Sequence, residues 1–357
     1  MTTGRKGFHS DRRTWIKDLR GERLHTVDMH AHMITPLVEK LVAGRAERQA
    51  ELEARARAMG AQSVEHNTKV EMPHAMAALT SLPVRLDDME RMGVDIQVVS
   101  PMPSQNYYWA EPDLAEQIVS LQNEHIAAAC AQHSNRLMGL GTLSLQHPQL
   151  AVAQLETAVR RLGLRGFQLS TRVNGLELSH RSLDPVWSKA QSLGCVIFVH
   201  PLGCSFGERL APSYLSSSIG QPMEVAAALS HLIFGGVLDR YPALKICAAQ
   251  GGGSLPSHIA RCDHAYHERP DARTMREAPS AYLRRIWFDS LVHSSDALRR
   301  LIDQVGVSQI VVGTDYPFDL GYYEIHSMVG GTPNLDAAEL DAILGGNAAR
   351  LLQVNPP

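Results

Sequence analysis

The chain has 357 residues, 44% hydrophobic and 20% charged, with a formal net charge of -3 at pH 7. That balance supplies a large buried core and argues against a nucleic-acid-binding face, which is usually basic. No apolar run approaches the length that crosses a bilayer. The opening MTTGRKGFHSDRRTWIKDLRGERLHTV lacks the apolar segment of a secretion signal, so a cytoplasmic location is expected by default.

In chain order, short apolar or β-branched runs occur at 26–32, 94–101, 138–145, 164–171, 195–201, 244–250, 286–293 and 310–315. Several are continuously hydrophobic, as parallel strands buried on both faces are. Helical periods fill most of the gaps, at 111–133, 149–162, 183–193, 222–240, 254–267 and 294–304. Strand and helix alternating in this way predict an α/β fold, a (β/α)8 barrel, for which the length is ordinary once insertions are allowed.

Two stretches exceed a minimal barrel. Residues 37–60 read as one charged helix, and 61–83 have no clear period; together 37–83 are expected to form a cap inserted over the barrel mouth. Residues 202–221 are rich in Gly, Ser and Pro and follow the fifth run, where a loop of that length is usually functional. The five cysteines are odd in number and lack CxxC spacing, so Cys195 and Cys247 read as small buried hydrophobes.

Barrel enzymes gather their chemistry where strands end. The polar residues at those ends are His30 and His32, His200, Gln250, Asp289 and His293, and Asp315. In the His-x-His of the first run both imidazoles point to one face of a strand. Three imidazoles and a carboxylate converging on the axis would suit Zn²⁺, bound at roughly 2.0–2.2 Å, and would acidify a water held there. Taken singly these residues read more plainly: a polar layer at the barrel end for His30 and His32, a hydrogen-bonded core histidine for His200, a helix cap for Asp315.

The stretches DMHAH, FVHP, GGVLDRYPALKICAAQGGG and VGTDYPFDLG, with VRLDDMERMGVDIQVVSP, NYYWA, RLMGLGTLSLQ and GNAARLL, resemble the aminocarboxymuconate-semialdehyde decarboxylase branch of the amidohydrolase superfamily. The resemblance runs from about residue 24 to 353 and leaves 1–24 as an extension. It implies one divalent metal, Zn²⁺ with Mn²⁺ as the alternative, held by His30, His32, His200 and Asp315, and no organic cofactor. It also implies non-oxidative loss of CO₂ from an unsaturated or aromatic carboxylate. An arginine in the helix after the glycine run grips a substrate carboxylate in the family, often in the neighbouring subunit of a dimer, and Arg261 holds that place.

Two departures stand out. The family carries a histidine before the triple glycine, whereas this chain has Gln250, which cannot carry a proton across neutral pH. Asp315 is the expected substitute in proton transfer, unless the chain is an inactivated form. Leu202 replaces a tryptophan, and SVEHNTKVEMPHAMAALTSLP offers no arginine for a second carboxylate, only Lys69, His66 or His74. A smaller, singly charged hydroxybenzoate or heteroaromatic acid is therefore expected.

The function read from the sequence is a metal-dependent decarboxylase of a small aromatic, heteroaromatic or muconate-like acid. Asp315, Gln250 and Asp289 are the candidate catalytic groups. Arg261, Leu202, Phe318 and His293 are the candidate substrate contacts, and a homodimer is expected. A hydrolase or hydratase using the same metal, and a silent metal-binding scaffold, are the alternatives.

Overall fold

A computed structural model describes residues 15–17 and 21–354. Most of the expected extension over 1–24 lies outside the described residues; Lys17 and Arg23 form an isolated antiparallel bridge. Eight parallel strands lie in sequence around one axis: β1 (Val27–Met33), β2 (Ile96–Pro101), β3 (Leu137–Gly139), β4 (Gly166–Leu169), β5 (Val196–Val199), β6 (Lys245–Ala248), β7 (Trp287–Asp289) and β8 (Ile310–Val311).

Continuous ladders join β1 to β3 and β4 to β8. The two seams between them close through isolated bridges, one at the first seam and two at the second. Gly141 pairs with Phe167 between β3 and β4, while Asp28 pairs with Val312 and Ala31 with Tyr316 between β8 and β1. Backbone hydrogen bonds Gly141 N to Gly166 O (2.9 Å) and His32 N to Tyr316 O (2.8 Å) carry the closure. At Gly166 (φ +154°) a Cβ would stand 1.9 Å from the Val196 carbonyl oxygen, so only glycine lets β4 meet β5.

The barrel interior holds Val27, Met29, Val98, Leu140, Val196, Phe198, Cys247 and Val311, closed below by Ala348, Leu351 and Leu352 of the last helix. The larger core lies between strands and return helices. The helix Ser295–Val305 shows why such segments form. Ser294 caps it by accepting from the Ala297 N–H at 3.1 Å, and Leu298, Leu301, Ile302 and Val305 bury one stripe before Gly306 ends it. No helix among the described residues is long and apolar enough to cross a membrane.

Several boundaries differ from the sequence reading. The single helix expected at 37–60 is two, α1 (Pro36–Val42) and α2 (Ala46–Met59), because the chain turns at Gly44 with φ +77°. The aperiodic stretch 61–83 is also helical. It forms α3 (Ala61–His66), a π-turn over Asn67–Glu71, and α4 (Met72–Thr80), whose Ala75, Ala78 and Leu79 supply an i, i+3, i+4 stripe that buries. The helix expected at 222–240 breaks at Gly235–Gly236 into Gln221–Phe234 and Val237–Arg240. Of the run 138–145 only Met138 and Gly139 lie in a strand, Leu137–Gly139, and Gly141 adds its isolated bridge to Phe167. The stretch 202–221 holds tight turns at Gly207–Leu210, Pro212–Tyr214 and Ser216–Gly220.

Candidate metal centre and its pocket

The first strand is irregular where the chemistry begins. Its register against β2 shifts between Asp28 and Ala31. Before the shift Val27 and Met29 face the barrel interior; after it Ala31 and Met33 pack with the helix layer. The bulge therefore turns His30 and His32 toward the axis. Asp28 pins it: Oδ1 accepts from the backbone N–H groups of His30 and Thr314 at 3.0 Å each, and Oδ2 from Gln97 Nε2 (2.9 Å) and Thr314 Oγ1 (2.6 Å).

Each imidazole has its Nδ1 engaged. His30 Nδ1 meets Asp289 Oδ2 at 2.7 Å, His32 Nδ1 faces Ser100 Oγ at 3.3 Å and Pro101 O at 3.4 Å, and His200 Nδ1 faces Pro201 O at 2.8 Å. An acceptor at Nδ1 leaves the lone pair on Nε2. The Nε2 atoms of all three rings and Asp315 Oδ1 are buried without a hydrogen-bond partner. One ligand atom from each residue lies within 4.8 Å of every other.

Asp315 Oδ1 is 3.3 Å from His30 Nε2 and 3.2 Å from His32 Nε2. Two ligands held tetrahedrally at roughly 2.0–2.1 Å from one ion sit about 3.3 Å apart. Four orphaned donors at that spacing, three imidazole nitrogens and one carboxylate oxygen, fit a divalent cation. His30, His32, His200 and Asp315 form a metal site.

Electrostatics agree. Burial pulls His30 down, but Asp315 and Asp289 outweigh it and push the ring up to about 10. Burial lowers His32 and His200, leaving both neutral. Burial alone would raise Asp315, yet His30 and His32 hold it well below the usual carboxylate range. Asp315 and Gln250 both adopt left-handed backbone, at φ 57° and 56°. Non-glycine residues hold that conformation at a cost of roughly 1–3 kcal/mol, as functional sites often do.

Above the four ligands lies a cavity of about 740 Å³. His200, Asp315, Leu202 and Phe318 line it, and the Phe318 ring stands 5.6 Å from that of His32. Its far wall is built by α2, α3 and the π-turn between β1 and β2, through Arg48, Arg55, Val64 and Glu71 among others. Asp289 stands behind the ligands: its Oδ1 accepts from the N–H groups of Gly251 (2.8 Å) and Leu291 (3.2 Å) while Oδ2 holds His30. Gln250 is not among the residues that line the cavity; its Nε2 reaches Gln221 Oε1, which does line it, at 3.4 Å, and its own Oε1 is buried without a partner.

Two expected substrate contacts lie outside the cavity of their own chain. Arg261 sits on the helix Leu255–Glu268, exposed, two residues past buried Ile259 and so roughly 200° around the helix from the packed face. His293 is exposed, its ring 6.0 Å from that of Tyr322. Nor do the proposed stand-ins line it: Lys69 pairs with Glu65 (2.6 Å), His74 turns back to Val70 O, and His66 lies 3.8 Å from Asp319 Oδ2.

Sequence reasoning missed the cations that are present, Arg48, Arg55 and Arg172. Arg48 is engaged with Glu51 (2.9 Å) and Glu39 (3.3 Å), and Arg172 lies 3.8 Å from Glu224. Arg55 makes no hydrogen bond or ion pair among the described residues. Residues 48, 51, 52, 55 and 59 share one face of α2, a period present in the sequence that the charged composition of the helix does not single out.

A parallel barrel with a histidine-rich metal site at the ends of its strands defines a class of metal-dependent barrel enzyme. The sequence profile of the Amidohydrolase family matches residues 27–354, and the chain belongs to that family. It is 36% identical over 275 residues to the 2-amino-3-carboxymuconate-6-semialdehyde decarboxylase of Dictyostelium discoideum, covering 76% of this chain and 77% of the relative. The Caenorhabditis elegans enzyme of the same name is 30% identical over 322 residues, covering 76% and 80%.

Among solved structures, 5-carboxyvanillate decarboxylase from Sphingomonas paucimobilis superposes with a TM-score of 0.79 at 22% identity, covering 93% of this chain and all (100%) of that one. The Novosphingobium aromaticivorans enzyme, crystallised with manganese, gives 0.79 at 18% identity, covering 93% and 96%. The barrel read from the sequence is thus the observed fold, and the branch read from the motifs is the one to which the chain belongs. Its named relatives are carboxy-lyases, and the chain is a carbon–carbon lyase of that kind.

Proposed function

We infer that the chain is a metal-dependent, non-oxidative decarboxylase of a small aromatic, heteroaromatic or muconate-like carboxylic acid. The observation that carries this reading is the set of four orphaned ligand atoms beside a cavity whose lining includes an uncommitted guanidinium, that of Arg55.

His30, His32, His200 and Asp315 would hold a divalent ion, which would supply Lewis-acid chemistry toward a substrate oxygen. Three nitrogen donors and one oxygen donor favour Zn²⁺, with Mn²⁺ as the alternative. Asp289 fixes the His30 ring and its tautomer. Leu202 and Phe318 give the planar substrate an apolar wall. Arg55 takes an anionic substituent, because a half-buried guanidinium without a partner gains most from a carboxylate. Gln250 offers its unpartnered Oε1 to a hydroxyl or N–H of the substrate. Arg261, exposed on its own chain, serves a neighbouring copy in a homodimer.

Purified, metal-loaded protein incubated with hydroxybenzoates, picolinates and muconates tests the reading. Loss of CO₂ from at least one acid supports it; a product heavier by one water, or no turnover across the set, overturns it. Metal analysis of the native protein decides between Zn²⁺ and Mn²⁺, and light scattering decides the dimer.

A further inference from the structure

Protonation of the carbon that loses CO₂ requires a group holding a proton at neutral pH, and Gln250 is not one. Five carboxylates line the cavity: Glu51, Glu71, Glu224, Asp315 and Asp319. Three are committed. Glu51 Oε2 accepts from Arg48 Nη1 (2.9 Å) and Trp109 Nε1 (3.3 Å). Glu224 Oε1 accepts from the Ser205 N–H (2.7 Å) and hydroxyl, with Arg172 Nε 3.8 Å from its Oε2. Asp315 belongs to the metal site.

Glu71 and Asp319 instead meet each other. The backbone N–H of Asp319 donates to Glu71 Oε1 at 3.3 Å, which sets the two residues side by side on the cavity wall. Neither forms an ion pair with a lysine or arginine among the described residues. Around them stand the Asn67 amide, 3.0 Å from Glu71 Oε2, the Tyr214 hydroxyl, 3.4 Å from Asp319 Oδ1, His66, 3.8 Å from Asp319 Oδ2, and Asp315 four residues back along the chain. Between Asp315 and Asp319 lies Phe318, whose ring covers His32.

Two neighbouring carboxylates without a lysine or arginine to pair with tend to retain one proton between them, because both cannot ionise cheaply. The geometry points to Glu71 as the general acid of the reaction, with Asp319 as its positioning partner and link to solvent. The assignment rests on the decarboxylase reading. The Glu71 O–H bond breaks and a C–H bond forms at the carbon bearing the carboxylate. The bond to the carboxyl carbon then breaks, its electron pair returns to the ring or diene, and CO₂ leaves. Glu71, now a carboxylate, recovers its proton from water by way of Asp319, whose side chain is 38% exposed. One proton is consumed per CO₂ released. Burial and the Asp319 carboxylate push Glu71 up to about 8, which is near a working pH.

The test uses the metal-loaded full chain and the acid found to lose CO₂. Glu71→Gln should lower kcat by roughly 10²–10⁴-fold with KM and metal content unchanged, and Glu71→Asp should recover part of the loss. Asp319→Asn removes the like charge and should move the alkaline fall of the rate to lower pH, a shift that a packing role would not produce. Independently of turnover, the infrared carboxylic C=O band should vanish as pH rises through about 8 and be missing from Glu71→Gln. A Glu71→Gln variant with wild-type kcat, or no such band, overturns the assignment. If wild-type protein releases no CO₂ from any acid, the decarboxylase reading and the transfer step both fall. The band then decides the shared proton alone.

Discussion

Asp289 Oδ2 stands 2.7 Å from His30 Nδ1, both side chains fully buried. Among the described residues the carboxylate is the hydrogen-bond partner of that nitrogen, and it is itself fixed by two backbone N–H donors. Removing such a partner typically costs a metal site 10–100-fold in affinity. Asp289→Asn should therefore weaken metal binding by about that factor while leaving the other three ligands in place, as competition with a chelator would report. Unchanged affinity would remove Asp289 from the site.

The raised His30 ring makes metal loading a proton-releasing event. At about pH 8 the metal-free protein carries a proton on His30, pushed up to about 10, and none on His32 or His200, which are lowered. Metal ligation needs the neutral ring. Calorimetry in buffers of different ionisation heat should find roughly one proton released per ion. The same shift has a stability consequence. His30 is raised above its ordinary 6.5, so its contribution to the metal-free fold is complete below that value and is lost as pH climbs through about 10. In chelator, melting temperature should fall across that window, and metal should abolish the fall.

Arg55→Ala should raise KM far more than it lowers kcat. A hydrogen bond to a charged group is worth about 1.5–3 kcal/mol, or roughly 10–150-fold. Steady-state kinetics on the preferred acid checks this, and Arg261→Ala provides the contrast. A loss for Arg261→Ala that is rescued by mixing with an active-site variant would place that residue in the neighbouring copy's cavity.

Gly166→Ala should destabilise the barrel severely, because its Cβ would fall 1.9 Å from the Val196 carbonyl oxygen. β4 would have to part from β5, breaking a ladder that runs from Gly166–Val196 to Leu169–Val199. Chemical denaturation should show a loss of several kcal/mol, on the scale of backbone and packing failures. A variant as stable as wild type would show that the two strands approach less closely.

The barrel and the metal ligands were legible because they rest on strong local signals. Runs such as VIFV and IVVG read as buried strands, and a histidine or aspartate near the end of the first, fifth, seventh and eighth runs marks the axis. What escaped the sequence depends on which way a face points. In α2 the residues Arg48 and Arg55 have the composition of a solvated helix, and only the fold shows that its face is the ceiling of a cavity. Arg261 is a different case, since its motif places it on a helix but does not say which chain's cavity it faces. Glu71 and Asp319 are 248 residues apart, and no pattern in either stretch announces the other.

The skipped pairing in β1 sets a condition on how such a centre arises. Both imidazoles of DMHAH owe their heading to one backbone irregularity, and the Asp28 contacts that secure it are as much a part of the motif as the histidines. Grafting His-x-His onto a regular strand of another barrel, one residue out of phase with inward positions such as those of Val27 and Met29, would send both rings outward among the helices. A transplant that works must carry the kink along with the letters.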